Sequence, residues 1–211
     1  MNQRERMLSG LPYKAWLDGR GGRQKGMQAE IYDFNQLPPS RQSKEAPQMI
    51  KNIFGKTGEN VWVEAPFHCD YGWNIEVGEN FYSNYNLTIL DVGKVTCGKN
   101  VQIAPNVSIY TAGHPVHPDS RNSGYEYGIP VTVGDNVWIG GNTVILPGVT
   151  VGSNVVIGAG SVVSKDIPDN TIAAGNPCKV IREITDEDRI YYFKKQKFDD
   201  EAWEEVKNKN K

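Results

Sequence analysis

A six-residue period in the second half of the chain constrains the fold more than any other feature of the sequence. From residue 133 onward, the first position of each six-residue block is aliphatic. An α-helix repeats apolar residues every 3.6 positions and an ordinary strand every second position, so neither element explains this period. Such self-similarity is typical of solenoids, in which each short repeat buries its apolar edge only against its neighbours. The series comprises Val133, Ile139, Ile145, Val151, Ile157 and Val163.

The same period continues towards the N-terminus, with one shift and one interruption. Residues 97–109 keep the six-residue step, and residues 71–89 keep it more loosely. The register slips by two residues around 91–94, and the period disappears between residues 111 and 130. We therefore predict a parallel β-helix over residues 56–180, from which residues 111–130 leave as an extended loop.

The ends of such a coil need covering, because a terminal repeat has no neighbour on one side. Residues 1–55 contain helical patterns separated by a glycine-rich stretch and by Pro38-Pro39, which predicts an N-terminal helical segment. Thr185-Asp186-Glu187-Asp188 has the side chains that begin a helix, which predicts a C-terminal helical tail over residues 181–211. The predicted fold class is mainly β, with helical segments at both ends.

Composition and charge argue against several classes of function. The 23 basic and 25 acidic residues leave a net charge of -2, whereas a dedicated nucleic-acid-binding protein usually carries a basic excess. The sequence has no apolar run of the roughly 20 residues that span a bilayer, and its start does not resemble a secretory signal. Three widely spaced cysteines argue against a disulfide framework. We expect a cytoplasmic protein without nucleic-acid or membrane partners.

Several motifs, together with the tandem repeats, resemble the maltose and galactoside O-acetyltransferases, a family of hexapeptide-repeat acyltransferases. The motifs are Pro66-Phe67-His68-Cys69-Asp70-Tyr71-Gly72, Asn84-Tyr85-Asn86, Gly113-His114-Pro115-Val116-His117, Asn136-Val137-Trp138-Ile139-Gly140 and Ala174-Gly175-Asn176-Pro177. The resemblance covers about residues 60–182 and is weaker in the N-terminal segment. It implies a left-handed parallel β-helix, a homotrimer with active sites between adjacent prisms, and acetyl transfer from acetyl-CoA to a hydroxyl of a small sugar or glycoside in a ternary complex.

The resemblance also implies the residues that carry out the reaction. His114 would be the general base that takes the proton of the attacking hydroxyl, a role that suits imidazole near neutral pH. Asn84 would stabilise the transition state, in which negative charge develops on the thioester oxygen. The main-chain N–H of Gly141 would face the acetyl group. Some relatives carry Ser at this position, but a main-chain donor is retained.

Further positions resemble those that contact coenzyme A or the sugar in the family. The coenzyme positions are Trp138, Ala159, Ser164, Lys165, Lys179 and Arg182. The cations suit the phosphates of the coenzyme, whereas Trp138 would either line the pantetheine arm or pack on the outer face. Asp70 resembles a sugar contact that is Asp in maltose-type and Ser in galactoside-type members. The family's N-terminal acidic contact has no clear equivalent: the matching position is Ala15, and Asp18 lies three residues away.

Two other functions are open on the sequence alone. β-Helix enzymes of the carbonic-anhydrase type bind zinc through three histidines, and this chain has three, namely His68, His114 and His117. A β-helix can also serve as a non-enzymatic scaffold, although a scaffold has no use for the cationic cluster or for His114 in its motif. The acetyltransferase interpretation requires acetyl-CoA as co-substrate and no bound metal.

Overall fold

Short strands joined by turns make up most of the chain in the computed structural model, which describes residues 1–15 and 25–208. The strands are β1 (Tyr13–Lys14), β2 (Val61–Val63), β3 (Phe67–Cys69), β4 (Ile75–Val77), β5 (Phe81–Ser83), β6 (Leu87–Leu90), β7 (Val95–Cys97), β8 (Gln102–Ile103), β9 (Ser108–Tyr110), β10 (Ala112–Gly113), β11 (Tyr125–Gly128), β12 (Val131–Val133), β13 (Trp138–Ile139), β14 (Val144–Ile145), β15 (Thr150–Val151), β16 (Val156–Ile157), β17 (Val162–Val163), β18 (Thr171–Ala174), β19 (Lys179–Glu183), β20 (Tyr191–Phe193) and β21 (Gln196–Lys197). The α-helices are α1 (Gln3–Leu8), α2 (Lys25–Asn35), α3 (Pro39–Ile53), α4 (Pro118–Asn122) and α5 (Asp200–Asn208), and a 3₁₀ helix spans Asp186–Ile190.

Three sheets form the faces of a prism, and each complete coil contributes one strand to each face. The first face has the strand order β15-β12-β7-β4, the second β18-β16-β13-β8-β5-β2, and the third β17-β14-β9-β6-β3. The strands within each face pair in parallel, and β19 adds an antiparallel strand at the end of the second face. The predicted fold class is thereby confirmed.

The aliphatic residues that define the period point into the prism and stack on one another. Ile145 pairs with Val163 on the third face, and the equivalent residues of the series pair on the other two faces. Each of the six is at most 1 % exposed, and the fifth positions, such as Val137 and Val155, are buried as well. Burial of one such side chain stabilises the fold by about 1.5–3 kcal/mol, so the period itself supplies the core.

Asparagines let the chain turn from the first face to the second. Five of them have a φ between 56° and 60°, in the left-handed region that asparagine tolerates better than β-branched residues do. The Nδ2 of each of the first four donates to the Oδ1 of the asparagine one coil further on, at 2.8–2.9 Å. This asparagine ladder comprises Asn80, Asn100, Asn136, Asn154 and Asn170. It keeps the coils in register along one edge of the prism.

The sequence predicts a helical tail over residues 181–211; of these, the structure describes residues 181–208, which are only partly helical. They hold the end of β19, the 3₁₀ helix, a hairpin of β20 and β21, and α5. Thr185 and Asp188 form the expected capping box, but the helix that they begin is a five-residue 3₁₀ helix. Aromatic residues with a high β-propensity follow at Tyr191–Phe193 and pair in the hairpin. No helix in the described ranges is long and apolar enough to cross a bilayer.

The loop at residues 111–130 leaves the coil between β9 and β12 and forms a small antiparallel sheet. In this sheet β11 lies between β10 and β1, so the N-terminal segment pairs with the loop. At the base of the loop, the N–H of Ile129 donates to the carbonyl oxygen of Thr111 at 2.9 Å. A Cβ on Gly128 would lie 2.9 Å from the backbone nitrogen of Gly93, so the base closes only without a side chain there.

Asp91 anchors the turn that follows β3, at the point where the period slips. Its carboxylate accepts the N–H groups of Asp70 and Tyr71 at 2.9 Å each and that of Gly72 at 2.7 Å. The side chain is fully buried, and this burial raises the pKa of Asp91 to about 6. The slip in the repeat therefore places a carboxylate where it holds three consecutive main-chain donors of the preceding coil.

The stacked interior predicts that substitutions of inward side chains lower the free energy of unfolding much more than substitutions of outward side chains. We expect Ile145→Ala to lower the free energy of unfolding by about 2–5 kcal/mol, because it leaves a cavity between neighbouring coils. Thr132→Ala, on the exposed side of β12, is the matched control and should change this free energy by less than about 0.5 kcal/mol. Urea unfolding of the three proteins measures both values, and equal losses would contradict the assignment of inward positions.

The raised pKa of Asp91 predicts a pH dependence of stability. A carboxyl whose pKa is higher in the folded protein stabilises the fold most at low pH, and this contribution is lost as the pH rises from 3.8 to about 6. We expect the free energy of unfolding of the parent to fall by about 3 kcal/mol relative to that of Asp91→Asn over this window. Urea unfolding at several pH values measures the difference, which would stay constant if Asp91 did not titrate there.

Candidate active site

The structure places the predicted site residues on two edges of the prism and on one face. The Asn84 edge, between the second and third faces, carries Asn84, Gly141 and Ala159 in the turns after β5, β13 and β16. The His114 edge, between the third and first faces, carries Asp70, His114, Ser164 and Lys165 after β3, β10 and β17. The second face carries Trp138, Lys179 and Arg182.

His114 projects from the loop beside a carboxylate that the sequence did not single out. The side chain of His114 is 59 % exposed, and its Nε2 lies 3.9 Å from the Oε2 of Glu126, whose side chain is 17 % exposed. The antiparallel pairing of β10 with β11 holds the two residues at the same end of the loop. A carboxylate at this position stabilises a protonated ring, which is the form that a general base takes after accepting a proton.

The other two histidines do not join His114. His117 is the N-cap of α4, and its Nδ1 accepts the N–H of Asp119 at 3.2 Å. His68 lies on the exposed side of β3. Among the residues that the structure describes, no group of three or more His, Cys, Asp or Glu side chains is placed to hold a metal ion. Within one copy of the chain, the three histidines therefore do not come together at one site.

The Asn84 edge presents hydrogen-bond donors that have no acceptor within the described ranges. The Oδ1 of Asn84 accepts the N–H of Tyr85 at 2.8 Å, which orients the amide and leaves its Nδ2 without an acceptor there. The N–H of Gly141 likewise donates to no described residue, whereas its carbonyl accepts from Gly160. A Cβ at Gly141 would lie 3.1 Å from the carbonyl oxygen of Pro105, so the serine of some relatives needs a small shift here.

Asp70 lies in the turn that Asp91 holds and is only 8 % exposed. The side-chain amide of Gln28 donates to the carbonyl oxygen of Asp70 at 3.4 Å, which ties the N-terminal segment to this turn. Ala15 packs against a small cluster around Tyr13, and Asp18 lies outside the described residues. Sequence reasoning missed Asp91, whose only signal was the register slip, because a contact between residues 70 and 91 leaves no local pattern.

Trp138 lies on the outside of the second face with 53 % of its surface exposed. Strand register places it in a column of outward side chains that runs along the prism. We call this the outer column; it comprises Trp62, Tyr82, Gln102, Trp138, Val156 and Ile172. The column is mostly apolar and in large part accessible, which is unusual for a surface that faces only water.

The predicted cations differ in how they are engaged. Lys165 and Lys179 are exposed, whereas Arg182 donates to both carboxylate oxygens of Asp188, at 2.7 and 2.6 Å. The Arg182 guanidinium holds the pKa of Asp188 well below its usual range. Arg182 also lines an open cavity, together with three lysines of the C-terminal hairpin region, namely Lys194, Lys195 and Lys197.

Two family profiles and several curated relatives match the chain. The profile described as bacterial transferase hexapeptide (six repeats) matches residues 130–165, and that described as maltose acetyltransferase hexapeptide capping motif matches residues 6–58. Galactoside O-acetyltransferase of Escherichia coli (strain K12) is 49% identical over 197 residues, which cover 93% of this chain and 97% of that protein. A putative acetyltransferase of Saccharomyces cerevisiae is 54% identical over 164 residues, which cover 78% of this chain and 83% of that protein.

Solved structures give the same result. A galactoside acetyltransferase in complex with coenzyme A has a TM-score of 0.89 and 49% identity, covering 94% of this chain and 99% of its own. A maltose O-acetyltransferase from Clostridium difficile 630 has a TM-score of 0.84 and 49% identity, covering 88% and 99%. Because relatives that are 49% identical cover 93% of this chain in sequence and 94% in structure, the chain belongs to the galactoside and maltose O-acetyltransferase family of hexapeptide-repeat acyltransferases.

Proposed function

We propose that this chain transfers the acetyl group of acetyl-CoA to a hydroxyl of a small sugar or glycoside of the maltose, glucose or galactoside type. One observation carries the proposal: the exposed imidazole of His114 stands beside the Glu126 carboxylate on a scaffold shared with a galactoside acetyltransferase that binds coenzyme A. A hexapeptide-repeat acetyltransferase from Vibrio cholerae complexed with acetyl coenzyme A, 33% identical with a TM-score of 0.79, supports the acetyl donor.

The reaction needs a single proton acceptor near the sugar. The imidazole of His114 takes the proton of the acceptor hydroxyl as its oxygen attacks the thioester carbonyl. The resulting tetrahedral intermediate collapses, the carbon–sulfur bond breaks, and the imidazolium returns the proton to the departing thiolate. Glu126 stabilises the imidazolium between these two steps, since its Oε2 lies 3.9 Å from the Nε2 of His114.

The two donors of the Asn84 edge serve different parts of the ligands. Asn84 and Gly141 lie two coils apart, which corresponds to about 10 Å along the prism. Asn84 and Gly141 of one chain therefore cannot donate hydrogen bonds to the same oxygen atom. We assign the Nδ2 of Asn84 to the oxyanion of the intermediate, and the N–H groups of Gly141 and Ala159 to the arm of the coenzyme.

The phosphates of the coenzyme require cations at the far end of the prism. Ser164 and Lys165 lie on the last complete coil, and Lys179 and Arg182 lie on β19. Arg182 is tied to Asp188, so a phosphate must compete with that carboxylate for the guanidinium. The hairpin lysines line the same cavity, but Glu183, Glu187 and Asp188 line it as well and largely offset their charge.

The separation of the two edges supports a site that a second copy of the chain completes. A strand of the third face is two to four residues long and spans up to roughly 13 Å, so Asn84 and His114 lie on opposite sides of that face. Reacting atoms must approach to about 3–3.5 Å, which one prism cannot achieve with both residues. In a homotrimer, the Asn84 edge of one copy meets the His114 edge of the next, and the apolar outer column offers a contact surface.

Asp70 supports a sugar as the acetyl acceptor, and the cysteines support a cytoplasmic location for the protein. Asp70 presents a carboxylate that accepts hydrogen bonds from sugar hydroxyls, as in the maltose-type members that it resembles. The cysteines of the chain are all free and buried, which fits the reducing cytoplasm that we propose as the site of the reaction. Thiol release from acetyl-CoA with maltose, glucose or a galactoside as acceptor tests the activity, and a scaffold would release none.

The shared site predicts that two inactive variants restore each other. We expect His114→Ala to lower turnover by ~10²–10⁴-fold and Asn84→Ala by ~10²–10³-fold. Co-expressed in equal amounts, they should form mixed trimers with about one quarter of the parental activity, since a quarter of the sites then receive both native residues. Thiol release by the purified mixture measures the recovery.

A mixture of His114→Ala with the double variant His114→Ala/Asn84→Ala is the matched control and should stay inactive. Recovery in the control, or none in the first mixture, would contradict a site shared between copies. Turnover of His114→Ala within a few-fold of the parent would contradict its assignment as the general base.

The assignment of Lys165 to the coenzyme phosphates predicts that its removal raises the KM for acetyl-CoA but not the KM for the sugar. We expect Lys165→Ala to raise the KM for acetyl-CoA by roughly tenfold, because it removes a charged contact to phosphate, and to leave the KM for maltose within about twofold. Lys99→Ala removes an equally exposed lysine from a turn between the first and second faces and should change neither constant. Equal increases in both KM values for Lys165→Ala would remove Lys165 from the coenzyme site.

A further inference from the structure

We propose that the hydroxyl of Tyr13 positions the Glu126 carboxylate against His114, which makes Tyr13 a positioning residue of the acetyl-transfer site. The inference rests on the proposed function, since that function gives His114 its role. Its starting point is a buried group without a partner. Tyr13 is 2 % exposed, and its hydroxyl is the one buried side-chain polar atom in the described ranges that makes no hydrogen bond. Native proteins rarely keep such an atom, because its lost hydration is uncompensated.

The small sheet of the loop places the Tyr13 hydroxyl beside Glu126, on the side of Glu126 away from His114. β1 and β11 are antiparallel, and Tyr13 lies directly opposite Glu126. The side chains of directly opposed residues share one face of a sheet, with Cβ atoms about 4.5–5.5 Å apart. On its other side, Glu126 approaches His114, with 3.9 Å between Oε2 and Nε2. The three side chains thus follow one another from the buried phenol through the carboxylate to the exposed ring.

Among the polar groups around Tyr13, Glu126 is the one placed to accept a hydrogen bond from its hydroxyl. Met7 and Val92 pack against the ring as apolar neighbours, and the nearby polar groups are Glu126 on β11 and the pair Asp70 and Tyr71 after β3. Burial, and then the Glu126 carboxylate, raise the pKa of Tyr13, so that the phenol keeps its proton and is available as a donor. Glu126 is the carboxylate that also reaches His114.

The bond forms when the catalytic histidine carries a charge. Once His114 has accepted the proton of the sugar hydroxyl, one oxygen of Glu126 turns to the imidazolium, and Tyr13 donates to the other. In the resting chain the hydroxyl faces Glu126 without a hydrogen bond of ordinary geometry, and in the charged state it completes that bond. The interaction therefore stabilises the transition state more than the resting enzyme, which raises kcat rather than substrate affinity. The proton stays on the phenol, and no covalent bond changes at Tyr13.

Tyr13→Phe tests the inference, because it removes only the hydroxyl. We expect kcat for thiol release with maltose to fall roughly tenfold, while the KM values for acetyl-CoA and maltose stay within about twofold. The melting temperature should be unchanged or higher, since the substitution removes an unpaired buried polar atom. The matched control is Tyr125→Phe, which removes a hydroxyl from the neighbouring residue of β11, where the ring contacts Lys14, and should leave kcat unchanged.

A double variant tests the route through Glu126. If Tyr13 acts by way of that carboxylate, Tyr13→Phe/Glu126→Gln should be no slower than Glu126→Gln alone. Losses in kcat that multiply in the double variant would overturn the route. Two further outcomes would overturn the inference: a kcat of Tyr13→Phe within twofold of the parent, or a loss of kcat accompanied by a lower melting temperature. Either outcome leaves the proposed function intact if His114→Ala is inactive. An active His114→Ala would instead contradict both the inference and the general-base role of His114.

Discussion

The rest of the structure depends on the stacking of identical short coils at the spacing of one strand. A coil can repeat only if its corners adopt the same backbone conformation each time, and the first corner uses asparagines in the left-handed region for this purpose. The same side chains hydrogen-bond to one another from coil to coil, while the inward aliphatic residues pair across the interior. One repeating pattern therefore sets the core, the corners and the register together.

A rigid repeat of this kind determines where chemistry can occur. Side chains inside the prism are packed against their equivalents and are inaccessible, so reactive groups must lie on the edges, on the faces or in segments that leave the coil. The loop at residues 111–130 is such a segment, and it brings His114 and Glu126 together on a small sheet of its own. The Asn84 edge supplies donors one or two coils apart, which suits an elongated ligand such as coenzyme A.

The sequence predicted the periodic part of the molecule well and the non-periodic part poorly, for a physical reason. Residues such as Ile139 and Ile157 are assigned to the interior by the sequence because their spacing reports directly which way they point. Glu126 and Asp91 were missed because they act on residues far away in the chain, and such contacts leave no local pattern. In the tail, the capping side chains of Thr185 and Asp188 were recognised, but the strand-forming residues that follow limit the helix to one short turn.

The non-periodic segments also explain how an N-terminal segment can take part in the active site that we propose. The first strand of the chain pairs with β11 rather than with any coil of the prism, so that Tyr13 lies against Glu126 while the preceding helix packs beside it. Met7, Val92 and Tyr13 form a small apolar cluster separate from the main core. The position of the loop therefore depends on an interaction between the N-terminal segment and the loop, to which the coil contributes Val92 and Tyr71. A change in this cluster would reach His114 without altering the stability of the stacked coils, because the two cores share no residue.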